Sequence, residues 1–382
     1  MKEAFQIGQL KAEQGEKVSG FLPIAGTNLE IPITLINGTQ EGKTILICGG
    51  LHNAEYVGIQ AAMELADELE PENVFGNIII IRLLNRSGFE HRTMSLVYED
   101  GKNINRVFPG SASGTVADKI AYMMETVIYP HIDYFIDLHS GDGFEGLESF
   151  VYCLGNANDY VVETSRKMAE IAHVNYLVVS ESNSGGAYNY AGKLGIPAIL
   201  LERGGNSTWC KTLVDEDKHD VKNMLRFLGI LKGNAHRHGM APKQVSPVTY
   251  EDAPVSGCWY PVYQPGETFR EGDVLGVIKD YFGKELFTCH AKHGGIMMYE
   301  TISLCIMKDS PMVAYGVWDE EKDGKITKEC SVCGEDEKHF GTDHEARHAH
   351  KHVSYRHEEG DEGFHDAKAH LDRSDAEECK EC

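Results

Sequence analysis

The sequence predicts an α/β protein. A doubly wound, largely parallel sheet occupies residues 1–242, a small all-β domain follows over 243–318, and an acidic tail closes the chain over 319–382. Three observations carry this reading. From about residue 43, short continuous apolar runs closed by glycine or polar residues alternate with stretches of helical apolar spacing. Strands buried on both faces read as such runs, and the helices that cover them supply the alternation. After residue 245 the helical spacing gives way to β-rich pieces divided by glycine turns, and after Trp318 large aliphatic residues nearly vanish.

Residues 1–40 contribute peripheral strands. "KTILICGG" (43–50) is the first buried strand, and its glycines mark a turn. "AEYVGIQAAMELADELE" (54–70) places Val57, Ala61, Leu65 and Leu69 on one helical face. "NIIIIRLLN" (77–85) and "DYFIDLHSG" (133–141) are further buried strands, followed by "ESFVYCLG", "VNYLVVSES" and "PAILLERGG" (197–205). Helical stretches over 116–129, 158–172 and 216–231 lie between them. Residues 246–318, including "GCWYPVYQPGETFREGDVLGVIKDYFGKELFTCHAKHGGIMM", show no long amphipathic helix. There are no internal repeats.

At 382 residues, 42% of them apolar, the chain is long enough for two folded units with a sizeable core. A signal-peptide apolar stretch is missing from the first twenty residues, and no run approaches the roughly 18 apolar residues of a membrane span. The expectation is a cytoplasmic protein without membrane partners. A net charge of −23 argues against nucleic acid as a partner, since that affinity rests on Lys and Arg meeting phosphates. It also means that an anionic substrate needs specific local arginines. Six of the ten cysteines, at 48, 153, 210, 258, 289 and 305, are scattered through apolar segments and read as reduced core residues.

In a doubly wound sheet the active site gathers beyond the carboxyl ends of the strands. His52 and Glu55 follow the first buried strand, His139 ends the strand over 133–138, and Glu202 ends the strand over 197–201. Arg92, Asn105 and Arg106 lie in the long loop after the strand over 77–84. The fold thus brings distant residues to one edge. Two histidines and a carboxylate form a ligand set for one catalytic zinc with an open fourth position. Asp137, two residues before His139, shares its strand face and is placed to orient the imidazole. Glu202, left free of the metal, is placed to take a proton from water.

Taken singly, each of these residues has an ordinary structural role open to it: a capped helix, a surface arginine, a hydrogen-bonded core histidine. Together, "GGLHNAEYVG", "NINRVFPG", "DLHSG" and "IPAILLERGG" resemble the succinylglutamate desuccinylase/aspartoacylase family. The resemblance spans roughly residues 40–318. It implies a zinc-carboxypeptidase-like catalytic domain with a small β domain behind it, and a hydrolase that cleaves the amide bond of a small N-acylated amino acid. By this resemblance His52, Glu55 and His139 hold zinc, and Glu202 is the general base. Asn105 and Arg106 bind the substrate carboxylate, and Arg92 polarises the scissile carbonyl. The chain departs from aspartoacylase-like members by lacking an arginine about ten residues before Glu202, where Tyr188, Tyr190 or Lys193 stand as substitutes. Arg203, directly after the base, is also unexpected.

Two rival functions follow from the same residues. A zinc carboxypeptidase would use the Asn105–Arg106 pair for a peptide's terminal carboxylate. A non-catalytic metal-binding protein would leave Glu202 without a role. The tail raises a separate expectation. Residues 319–382 hold twenty Asp or Glu against ten Lys or Arg, with eight histidines and the pairs Cys330/Cys333 and Cys379/Cys382. Such a segment cannot bury enough apolar surface to offset its ordering entropy, so a mobile tail able to take further zinc is expected. The oligomeric state, including a homo-oligomer, is left open.

Overall fold

The computed structural model describes residues 2–236 and 241–318. The expectations for the tail therefore lie outside the described residues. At its centre a mixed sheet runs parallel through four neighbouring strands: Phe75–Ile81, Gln40–Gly49, Tyr134–His139 and Ala198–Glu202. Phe150–Leu154 then pairs antiparallel with Ala198–Glu202 and parallel with Tyr176–Ser180. On the far side Glu30–Asn37 and Glu16–Pro23 close the sheet as antiparallel strands, the peripheral contribution expected of residues 1–40. The central runs consist of Ile, Leu, Val and Phe with almost no exposure, as strands covered on both faces require.

Alternation along these strands divides the core. Phe135, Leu200, Leu46 and Cys48 face one layer, packed with Ile120, Ala187 and Ala191. Ile136, Leu138, Ile199 and Leu201 face the other, against Val57, Leu65, Val221 and Met224 from the helices Tyr56–Glu68 and Lys211–Phe227. By the same period of two, Asp137, His139 and Glu202 point to the first layer, and Arg203 to the second.

Two helices were not legible in the apolar spacing: Arg86–His91 and Ala187–Lys193, of six and seven residues. Both are too short for a periodic pattern. The stretch expected to be helical over 116–129 is α-helical only to Met123 and continues in wider and tighter turns to His131, where Pro130 cannot supply a helical N–H. The last helix begins at Lys211, earlier than expected, and stops just before Gly229, whose φ of +70° suits a helix terminus.

The region after residue 242 is all β, and its strands continue the main sheet. Lys243–Asp252 pairs in parallel with Tyr176–Ser180, and Pro311–Trp318, Gly295–Thr301 and Thr268–Phe269 follow in antiparallel order. The remaining strands, Gly257–Pro261, Val274–Lys279, Glu285–His290 and Cys305–Ile306, form a separate four-stranded sheet over Trp259, Leu275 and Ile278. The region also reaches back towards the sheet's carboxyl edge. The short strand Glu145–Leu147, just after His139, pairs with Gly295–Thr301, and the Ile302 amide donates to the Phe144 carbonyl at 2.9 Å.

Candidate metal and active site

Two glycines let the site form. Gly50 has φ +69°, and a Cβ there would meet Leu83 Cδ1 at 2.5 Å, so the chain can turn tightly out of its strand. A Cβ on Gly58 would meet the Leu138 carbonyl oxygen at 2.7 Å, so only glycine lets the helix Tyr56–Glu68 lie this close to the strand Tyr134–His139. That approach carries Glu55, at the helix N-cap, to His139.

The three expected ligands meet. One ligand atom from each of His52, Glu55 and His139 lies within 4.8 Å of the others. His52 Nδ1 is 2.6 Å from Glu55 Oε1, and His139 Nδ1 is 2.8 Å from Glu55 Oε2. The outer nitrogens are held separately. Asn103 Oδ1 accepts from the Asn105 amide, so it is an oxygen, and His52 Nε2 at 3.0 Å must donate to it. That bond holds the ring with Nδ1 turned towards the Glu55 carboxylate. His139 Nε2 lies 3.2 Å from Asp137 Oδ2, within ion-pair range. The Ser140 amide donates to Glu55 Oε2 at 3.1 Å.

The electrostatics favour a cation at this point. Burial opposes ionisation of Glu55, yet positive charge at His52 and His139 outweighs it and holds the carboxyl at about 2. Burial also opposes a charged His139, but Asp137 and Glu55 overcome it and move the imidazole well above its usual range. Two imidazole nitrogens and a carboxylate facing one another suit a metal ion with nitrogen and oxygen preferences such as zinc. Among the described residues this is the one cluster of its kind.

Glu202 stands beside the cluster. It pairs in register with His139 on the neighbouring strand, so the two side chains share a face. Burial, with the Glu55 charge adding to it, pushes its carboxyl well above the ordinary range, and its Oε2 has no hydrogen-bond partner among the described residues. Arg203 now has an account. It points to the opposite layer and is fully buried, with Nη2 donating to Asp220 Oδ2 at 2.6 Å and to the His173 carbonyl at 3.1 Å. Asp217 and Glu216 lie at 3.5 and 3.7 Å from its Nε.

The arginine loop is placed less completely. Asn105 is buried, and its Oδ1 accepts from the Ala187 amide at 2.8 Å, tying the loop to the helix Ala187–Lys193. Arg106 is exposed, with Nη1 donating to the Asn105 carbonyl. Arg92 is exposed in a left-handed conformation, φ 56°, at the end of the helix Arg86–His91. Of the three substitutes for the missing arginine, Tyr190 donates its hydroxyl to Glu125 and Lys193 lies over the Tyr190 ring, so these two engage each other's surroundings. Tyr188 is buried beside Tyr152, whose hydroxyl meets that of Tyr250 at 2.9 Å.

Several residues escaped sequence reasoning. Asn103 reads as one more polar loop residue until the fold sets it against His52. Asn53 Oδ1 accepts from Asn85 Nδ2, and Asn85 caps the helix Arg86–His91 through the Gly88 amide. Glu145 is moved up to about 7 by burial, with Asp142 and Glu55 contributing. The pairing of Tyr250 with Tyr152 joins segments about a hundred residues apart, and no local pattern could signal it.

The fold and this site define a class: a mixed α/β protein with a metal-ready His–Glu–His cluster and a half-buried glutamate beside it at the carboxyl edge of its sheet. Comparison with known proteins narrows it. The succinylglutamate desuccinylase/aspartoacylase catalytic domain matches residues 41–228. An N-alpha-acetyl-L-2,4-diaminobutyric acid deacetylase from Halomonas elongata is 30% identical over 256 residues, covering 63% of this chain and 70% of that protein. Among solved structures, a succinylglutamate desuccinylase from Silicibacter sp. superposes with a TM-score of 0.73 at 23% identity, over 84% of this chain and all of that one. The product-bound ectoine utilization protein EutE (DoeB) from Ruegeria pomeroyi gives 0.74 at 23% identity, over 83% of this chain and all of the other. The chain belongs to the succinylglutamate desuccinylase/aspartoacylase family. No helix among the described residues is long and apolar enough to cross a membrane.

Proposed function

We propose that the protein is a zinc-dependent deacylase that hydrolyses the amide bond of a small N-acylated amino acid or related carboxylate. The observation that carries this reading is the convergence of His52 Nδ1, His139 Nδ1 and the Glu55 carboxylate beside Glu202, whose Oε2 has no hydrogen-bond partner among the described residues. The named relatives, a deacetylase and a desuccinylase, support it. His52, Glu55 and His139 would hold the ion, with Asn103 and Asp137 fixing the two imidazoles from behind. A zinc ion bound there supplies Lewis acidity towards the scissile carbonyl and lowers the pKa of bound water to about 7.

The chain's own residues do the rest. Glu202 accepts the proton of the attacking water and returns it to the departing amine, a task that suits a carboxyl raised above its ordinary range. Arg92, exposed at the end of the helix Arg86–His91, would meet the developing oxyanion from that loop. Arg106, exposed and donating to its neighbour's carbonyl, has the planar fork that binds a carboxylate through two parallel hydrogen bonds. Asn105 positions that loop through Ala187, in addition to the substrate contact proposed for it. In a chain of net charge −23, these two arginines are the local attraction for an anionic substrate.

A panel of N-acyl amino acids, their carboxamide analogues and short peptides tests this. Turnover is expected for the N-acyl amino acids and to fall sharply for the carboxamides, which cannot engage Arg106. Equal turnover of acid and carboxamide would remove the carboxylate clamp. A preference for peptides would favour the carboxypeptidase reading. Absence of hydrolysis in the zinc-loaded protein would leave metal binding alone.

A further inference from the structure

We propose that Cys258 and Cys305 form a redox-active dithiol that closes reversibly into a cross-strand disulfide. Both were expected to be buried core thiols, and the structure places them otherwise. Cys305 is exposed and Cys258 partly so, whereas Cys48, Cys153 and Cys289 are buried. Cys258 lies in Gly257–Pro261 and Cys305 in Cys305–Ile306, and the two are direct partners in an antiparallel pair. Trp259, the next residue, donates its amide to the Leu304 carbonyl at 2.7 Å, so Trp259 and Leu304 form a hydrogen-bonded pair. Hydrogen-bonded and non-hydrogen-bonded pairs alternate along an antiparallel ladder, so Cys258 and Cys305 occupy a non-hydrogen-bonded pair.

That position decides the chemistry. Directly opposed residues at such a site have Cα atoms about 4.5 Å apart and side chains on the same face, closer than at the alternate pairs. A disulfide needs Cα atoms roughly 4.4–6.8 Å apart and Cβ atoms roughly 3.5–4.5 Å apart. The register therefore sets the two cysteines in a pair whose usual Cα spacing falls within the range that a disulfide spans. The face is also the outer one: Trp259 and Ile306, one step along, are buried in the core of this sheet. A disulfide here therefore forms without opening the core.

The partner class is a small-molecule disulfide of the glutathione type. The exposed Cys305 thiolate attacks one of its sulfurs, forms a mixed disulfide and releases one thiol. The Cys258 thiolate then attacks Cys305 Sγ, forms the protein disulfide and releases the second thiol. Two protein thiols are oxidised, and one external disulfide is reduced to two thiols. The bond would tie the end of the segment 302–305 to the strand Gly257–Pro261. Ile302, three residues before Cys305, is the residue whose amide braces the Phe144 carbonyl in the loop after His139.

The test treats the full chain with oxidised glutathione, blocks remaining thiols and maps peptides without reduction. The expected product links the Cys258 and Cys305 peptides, is reversed by dithiothreitol, and raises the melting temperature of the wild type. Cys305→Ser and Cys258→Ser should each abolish both the linked peptide and the redox-dependent shift. The tail cysteines fall in other peptides and are scored separately. Glutathione retained singly on Cys305, linkage of Cys305 only to a tail cysteine, or full alkylation of both thiols after oxidation would each overturn the proposal.

Discussion

Asn103 does for His52 what Asp137 does for His139: each faces the imidazole nitrogen turned away from the cluster. The Asn103 contact is the better defined chemically, because its oxygen already accepts the Asn105 amide and so can only receive the His52 proton. Asn103→Ala removes that acceptor, and His52 can then place its proton on either nitrogen. Loss of such an outer partner typically costs ~10–100-fold in metal affinity, and competition with a chromophoric chelator should read a fall of that order. Retention of wild-type affinity would show that Glu55 alone orients the ring. Glu202 makes the complementary case. Glu202→Gln preserves volume but cannot accept a proton, so turnover should drop by ~10²–10⁴ while bound zinc stays constant. Unchanged turnover would move the general base elsewhere, with Glu145 the nearest raised carboxyl to consider.

The strand Ala198–Glu202 shows how one element serves both layers. Its last residue points Glu202 to the site, and the next points Arg203 into the helix Lys211–Phe227, where Asp217 and Asp220 are also fully buried. One guanidinium faces three carboxylates, and burial moves Asp217 up to about 8 despite the opposing pull of Arg203. The sign follows from proton binding. Folded Asp217 keeps its proton up to about pH 8, whereas in the unfolded chain it loses the proton near 4. Its contribution to stability is thus fully present below about pH 4 and is lost as pH rises through 8. Asp217→Asn, permanently neutral, should flatten that decline, and denaturant unfolding of both proteins at pH 5.5 and 8.5 measures it. A wild-type slope unchanged in the variant would place the ionisation elsewhere. At this scale much was legible beforehand. "FIDLHS" and "AILLER" announce buried strands by continuous apolar runs, and their polar last residues announce the edge where a site belongs. Arg203 was not legible, because its partners lie fourteen and seventeen residues away on a helix face that only folding brings beneath it. The short helix Ala187–Lys193, which receives Asn105, was hidden for the opposite reason, since seven residues hold too few turns for a period to emerge.

At the scale of the whole molecule the charge is uneven along the chain. Every residue proposed for metal, base or substrate lies at or before position 202, and the Tyr250 and Ile302 braces lie before 318. Residues 319–382 carry a net charge of −10, eight of the eighteen histidines and four of the ten cysteines. Thiolate and imidazole together favour zinc, copper and nickel over magnesium or calcium. Truncation after Trp318 should therefore leave a folded enzyme whose turnover in zinc-replete buffer is close to that of the full chain. The first zinc equivalent, held by His52, Glu55 and His139, should remain, and any further equivalents should be lost. If the tail works as a local reservoir, a mild chelator should inactivate the truncated form sooner. Zinc stoichiometry and turnover of both forms, with and without chelator, read all three effects. Loss of activity in ample zinc would make the tail part of the working enzyme and end the reservoir idea. Identical zinc content in the two forms would leave the paired cysteines without a metal to explain them.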